Sequence, residues 1–389
     1  MTVTPEGSWC QSPVLVLAVL PIGGVAGWLL AQSVSWLLGE SPAGPAGTRA
    51  SPRVQARFTA PAVMAATAAA VWWWEIRMLG QLPSELATVD CQMLWLRLMA
   101  HLILASLLIA ASWIDLRERV IPDAITVPGV LGGLAWNASL PATLLPVGRE
   151  VPRSFATPLV ESDVLGAFGP LAATPLPTWL TGPAGLALMG MVFAVWWWFG
   201  LPPGQPGNVP AETPDDVTGS SPAWLSATVA VTGGLGLTAT WLIGGRHWAG
   251  LVTALMGLLV SAGIIWATRA GASRALGREA MGFGDVTLMA MAGAWLGWQA
   301  CLLACLLAVF IGLFHGISQL LRHSESELPF GPSLCLGLGL VILAWRSIWT
   351  AAEPQFERPL EMALVVGLVI GMTALTLWGW ARLKGGQLR

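Results

Sequence analysis

The sequence predicts an all-α protein, a polytopic membrane bundle of about eleven transmembrane helices, or nine if the stretch 141–245 is divided differently. Composition is the first reason: 55% of the 389 residues are hydrophobic and 10% are charged, with a mean hydropathy of +0.68. A soluble chain of this length has no place to hide so much apolar surface. The second reason is that runs of about 20 apolar residues, the length that crosses a bilayer core, recur along the whole chain. The third is punctuation. Proline, glycine and charged residues separate the runs instead of interrupting them.

In order, the predicted spans lie near 14–38, 59–76, 93–114, 124–141, 179–200, 223–245, 249–268, 285–298, 299–321, 331–349 and 361–381. The twelve or so residues before the first run lack the basic segment of a secretory signal, so that run is expected to be a retained span. The span at 285–298 is short for a full crossing. Residues 141–178 and 201–222 are rich in Pro, Gly, Ala and Thr and read as irregular loops. The triplets Trp72-Trp73-Trp74 and Trp196-Trp197-Trp198 fall at span ends, where indole rings favour the headgroup region. No internal repeat of the kind that builds inverted-repeat transporters is visible.

Charge sets the expected orientation. With the N-terminus outside, the cytoplasmic connections hold Arg49, Arg53 and Arg57, then Arg117 and Arg119, then Arg269, Arg274 and Arg278, then Arg322, and finally Arg382, Lys384 and Arg389. These are most of the 19 basic residues, as the positive-inside bias requires. The exception is the loop 201–222, which carries Glu212, Asp215 and Asp216 and no basic residue. A net charge of −2 and a single lysine argue against nucleic-acid binding, which needs a basic face. The five cysteines never form a C-x-x-C pair and the four histidines are scattered, so no metal or redox cofactor is expected.

Two aspartates stand out. Asp115 follows the third apolar run and Asp285 precedes the eighth. An ionisable side chain at the edge of a span is expensive, and two on one membrane face suggest a carboxylate pair for acid–base chemistry. Each has a bland reading alone: Asp115 can mark where a span meets water, and Asp285 can cap a helix beginning at Val286. A lone G-x-G-D is also a weak signal in a chain with 45 glycines.

The surrounding strings are more specific. Asp115-Leu116-Arg117-Glu118-Arg119-Val120-Ile121-Pro122-Asp123 resembles the first aspartate motif of the type IV prepilin peptidase family, a GxGD-type group of intramembrane aspartic peptidases. Met281-Gly282-Phe283-Gly284-Asp285-Val286 resembles its second, and Ala294-Trp295-Leu296-Gly297-Trp298 continues it. Pro329-Phe330-Gly331-Pro332, opening the tenth predicted span, also matches. The likeness covers residues 93–140 and 245–350, read as a peptidase core. Residues 1–92 form N-terminal helices, 141–244 an insertion, and 351–389 a last helix and basic tail.

The resemblance implies a multi-pass protein of the bacterial inner membrane that cleaves basic leaders from type IV prepilins or pseudopilins of type II secretion. Cleavage would occur at the cytoplasmic face and use no cofactor. Asp115 and Asp285 would be catalytic, with Gly282, Gly284, Asp123, Glu118, Pro329 and Gly331 supporting the site or the substrate. Two close carboxylates cannot both ionise, so one holds a proton while the other activates water, and no covalent nucleophile is required. Asp123, Glu118 and Glu279 could meet a positive leader; the plainer reading pairs them with Arg117, Arg119 and Arg278 or with water.

The chain departs from the family in three places. Many members carry a zinc-binding, C-x-x-C-bearing domain between the first two spans, associated with N-methylation. Here the connection 39–58 is short and has no cysteine, so the methyltransferase half is expected to be lacking. Thr287 stands where the family usually has lysine. The interval from Asp115 to Asp285 is longer than usual. Two other functions compete with the peptidase: a proton- or cation-coupled transporter, and a catalytically inactive scaffold of a pilus or secretion machine.

Overall fold

A computed structural model describes residues 2–3, 12–37, 52–81, 88–89, 91–145, 176–200, 223–277, 281–321 and 330–356, with isolated positions between 361 and 372. Eleven α-helices carry the described fold: α1 Val16–Leu37, α2 Pro52–Trp72, α3 Cys91–Glu118, α4 Asp123–Ser139, the single turn α5 Thr178–Thr181, α6 Pro183–Gly200, α7 Ala223–Ile243, α8 Gly245–Leu276, α9 Phe283–Leu296, α10 Trp298–Leu321 and α11 Gly331–Phe356. Two-residue strands β1 (Thr2–Val3) and β2 (Thr88–Val89) add one small parallel bridge.

Each of the first ten predicted runs is helical, while most of 361–381 lies outside the described residues. Among the described residues, α3, α6, α7, α8 and α11 are long and apolar enough to cross a membrane. Val19–Leu29, Phe283–Leu296 and Trp298–Phe314 are shorter apolar stretches. The chain is a multi-pass membrane protein by these spans. Its outward side chains fit that solvent, because Leu242, Ile243, Phe310 and Phe314 would not stand exposed to water in such numbers.

Several elements run past their expected limits, for local reasons. α2 opens at Pro52, inside the connection read as 39–58, because a proline at the first helical position loses no bond and has φ already set. It continues into a π-turn, Trp73–Arg77. α8 carries on through Arg269 and Arg274 and stops at Gly277, whose left-handed φ of 67° lets its N–H reach the Ser273 carbonyl at 2.9 Å. Helical backbone satisfies its own polar groups, so it extends beyond the apolar run that predicted it.

The centre of the bundle is α9. From Asp285 to Leu296 all of its residues are buried, the mark of a helix enclosed on every side. Small residues allow the enclosure. A Cβ on Gly257 of α8 would fall on the Gly293 carbonyl of α9, and a Cβ on Gly293 would fall on the Gly257 carbonyl, so the two backbones touch. On the other side α4 is stitched to α9 by polar bonds. The Trp295 indole N–H donates to the Gly129 carbonyl at 2.8 Å, and the Asn137 amide donates to the Ala294 carbonyl at 2.7 Å. Inside a membrane such bonds replace partners that water cannot supply.

One apolar core spans α4 and α6–α11 with the second half of α3; a smaller one joins α1, α2, the π-turn and the first half of α3. The tryptophan triplets divide between core and surface. Trp72 is fully buried in the smaller core and Trp196 packs at a tilt on Phe193, while Trp73 and Trp198 are exposed. Helical periodicity explains this, since three consecutive residues point in three directions about 100° apart. The interfacial role expected for each triplet therefore fits only its exposed members.

Candidate active site

α3 delivers Asp115 in its last turn, and the helix then ends sharply. Arg119 has φ 57°, and its N–H closes the turn on the Asp115 carbonyl at 2.9 Å. The chain reverses through Val120–Pro122, and α4 starts at Asp123 with Pro122 as its N-cap. α9 delivers Asp285 from the same end of the bundle. Its N-cap is Gly282, which has no side chain to cap with, and Asp285 sits in the first turn. The capping role considered for Asp285 before Val286 is thus not the geometry found. In the first turn its carboxylate instead faces the positive end of the helix dipole.

Both carboxylates are withdrawn from solvent: Asp115 is 6% exposed and Asp285 7%. Asp285 lies within electrostatic reach of Asp115. α11 completes the group. The backbone N–H of Gly331, at the start of that helix, donates to the Asp115 carboxylate. A Cβ at Gly331 would land on the same carboxylate, so only glycine permits the approach. Cys335, one turn further along α11, lies within electrostatic reach of both aspartates.

Between the three helix ends sits Ile121, buried and apolar. A Cβ at Gly284 would come within 2.9 Å of the Ile121 Cβ, and one at Gly331 within 3.2 Å of its Cδ1. Ile121 is therefore the wedge on which α9 and α11 both rest beside the carboxylates. Neither it nor Cys335 was singled out from sequence. The available signal for Ile121 was a buried-type residue trapped between the exposed Val120 and a proline, inside a string already rich in charge.

Of the residues expected at the site, Asp115, Asp285, Gly284 and Gly331 converge. Gly282 lies at the exposed start of α9. Glu118 and Asp123 are exposed, at the end of α3 and the start of α4, on the same side of the bundle. Pro329 and Glu279 lie outside the described residues. The Arg117 guanidinium stacks over the Trp113 ring at 5.6 Å, and that of Arg269 over Phe283 at 5.8 Å. The Arg269 Nε–H also donates to the Met281 carbonyl at 2.9 Å, pinning the segment that leads into α9.

Thr287 is buried, and its hydroxyl donates back to the Gly284 carbonyl at 3.0 Å. It ties down the first turn of α9. Position 287 brings no positive charge to the pair.

The family model for the type IV leader peptidase family matches residues 102–152 and 222–317, the two stretches that contain Asp115 and Asp285. These segments are what the chain shares with that family. Relatives named prepilin leader peptidase/N-methyltransferase include one from Aeromonas hydrophila, 37% identical over 112 residues, which are 25% of this chain and 38% of the relative. Another, from Stutzerimonas stutzeri, is 38% identical over 114 residues, 28% of this chain and 39% of the relative. A third, from Escherichia coli strain K12, is 36% identical over 98 residues, 24% of this chain and 44% of the relative. The chain thus matches less than half the length of each of these. No solved structure matches it.

Proposed function

We propose that this protein is a membrane-embedded aspartic endopeptidase that removes the basic leader from prepilin-like or pseudopilin substrates at the cytoplasmic face of the bacterial inner membrane. The observation that carries the proposal is the pairing of Asp115 with Asp285, two buried carboxylates within range of each other at one end of the bundle. Likeness to the prepilin leader peptidase relatives supplies the substrate class, and arginine placement the orientation.

The chemistry follows from the pair. In a low-dielectric site two neighbouring carboxylates hold one proton between them and titrate as a unit. The ionised member takes a proton from a water as that water's oxygen attacks the scissile carbonyl carbon. The protonated member gives its proton to the carbonyl oxygen, producing a neutral tetrahedral diol. As the C–N bond breaks, a proton passes to the departing amine and the pair is left with one proton again. The Gly331 N–H donates to the Asp115 carboxylate and holds it in place for this exchange.

The exposed Glu118 and Asp123 flank the same end and would offer negative charge to a basic leader. The transporter reading is less well supported, because both aspartates stand at helix ends and α9 is unbroken from Phe283 to Leu296. The test is leader cleavage by the purified protein in proteoliposomes with a prepilin-like substrate. Asp115→Asn and Asp285→Asn should each lower turnover by about 10²–10⁴-fold while the protein stays folded and inserted. Near-parental cleavage by either variant would sink the proposal.

A further inference from the structure

A second group of buried polar side chains lies at the other end of α3. Glu75 comes from the π-turn after α2, Gln81 from the segment that follows, and Arg97 and His101 from α3. All four are at least nine-tenths buried. Such residues inside a membrane protein are costly and are retained for a purpose. A π-turn at this place fits, because that geometry recurs at functional positions.

The hydrogen bonds give the group a direction. The His101 Nδ1 lies 2.6 Å from Glu75 Oε1, so that nitrogen carries the hydrogen and donates. The Gln81 amide nitrogen lies 2.9 Å from Glu75 Oε1 and 2.9 Å from the Ile342 carbonyl. Both partners are acceptors, which fixes the amide orientation and uses both of its hydrogens. Arg97 turns its Nε–H to the Thr143 carbonyl at 3.3 Å and also feels the charge of Glu75. His101 therefore holds Glu75, Glu75 holds Gln81, and Gln81 holds Ile342.

Ile342 is on α11, the helix whose first residue touches Asp115. Two residues beyond it, Ala344 leaves helical geometry with φ −102° and ψ 19°. A side chain inserted into the backbone ladder is a recognised cause of such a bend. Beyond the bend Trp345 is buried and stacks on Trp349 at 5.2 Å, which anchors the far segment. The near segment runs as helix from Gly331 to Ile342, about 16 Å long. It carries the Gln81 bond near the bend and the Gly331–Asp115 bond at its tip, and between them it packs on α10, where a Cβ at Gly337 would meet the Ala304 carbonyl.

We infer that Gln81, held by Glu75 and His101, is a positioning residue for the peptidase centre: its bond to the Ile342 carbonyl sets the bend of α11 and so the seat of Gly331 on Asp115. This rests on the reading of Asp115 and Asp285 as the reacting pair. The mechanism needs no contact between Gln81 and substrate. A tip displaced by 1 Å is enough to matter for a positioned catalytic group.

The test uses the full-length protein in proteoliposomes and reads two quantities. Gln81→Met keeps the volume and removes both donations. Its kcat should fall roughly 10–100-fold with KM little changed. Cys335, one turn from Gly331, gives the second reading: iodoacetamide labelling of its peptide, followed by mass spectrometry, should speed up severalfold. Gln81→Asn, which keeps an amide but falls a methylene short of Ile342, should do the same and stands in if the methionine variant fails to fold. Parental kcat per folded molecule and parental Cys335 labelling would overturn the inference, leaving Gln81 a structural residue only. Asp115→Asn run alongside separates the two readings. If it cleaves normally the dyad proposal fails, and Cys335 labelling alone then decides whether Gln81 sets the tip of α11.

Discussion

Gly331 donates its backbone N–H to the Asp115 carboxylate, and the space a side chain would occupy at 331 is filled by that same carboxylate. One residue thus supplies a hydrogen bond and a close approach that no other amino acid can combine. Gly331→Ala should therefore push the start of α11 away from Asp115. We expect a fall in kcat of about 10–100-fold with a folded, inserted protein, measured by leader cleavage in proteoliposomes. Undiminished cleavage would mean that α11 is not part of the centre.

Thr287 takes the position where the resembling family usually has lysine, and here its hydroxyl serves the backbone of its own helix. Its part is local. Thr287→Val keeps the shape and deletes one hydrogen bond, which should cost about 0.5–1.5 kcal/mol of stability and leave cleavage close to parental. Thermal unfolding in detergent and the cleavage assay check the two halves of this expectation. A folded variant without activity would show that the hydroxyl acts on the carboxylate pair.

Cleavage should leave the new N-terminus unmethylated. In the resembling family N-methylation is associated with two C-x-x-C pairs between the first two spans, and residues 39–58 contain no cysteine. Mass spectrometry of a substrate processed with this protein as the only enzyme present reads the outcome directly. A mature chain with a free amine agrees with the expectation, and one heavier by a methyl group contradicts it.

Much of the fold was legible because apolar runs and their breaks are strong signals in a membrane chain. The buried run Val286–Leu296 and the long run ending at Ile114 both announced helices, and the charged residues at their edges announced the site. Three things were not legible. Helices continue past their apolar stretches, as α8 does through Arg269 and Arg274, because backbone bonding does not depend on hydropathy. Packing partners far apart in sequence, such as Gly257 with Gly293, leave no local mark among 45 glycines. The histidines looked scattered because His101 finds Glu75 and Gln81 only after the chain has folded back between α2 and α3.

Asp115 and Asp285 should behave as one unit. If each is needed for the same proton exchange, removing the second after the first has little left to remove. The double variant Asp115→Asn with Asp285→Asn should then be no slower than either single variant, although two independent contributions would multiply. Stability should respond in the opposite sense, because each substitution relieves the repulsion and burial cost of a carboxylate that the folded site must carry. The variants are expected to unfold at temperatures equal to or above that of the parent. Residual turnover and melting temperature measured on the same three preparations decide the matter. A double variant slower than both singles by the product of their losses would show two carboxylates working separately, and the shared-proton mechanism would have to be abandoned.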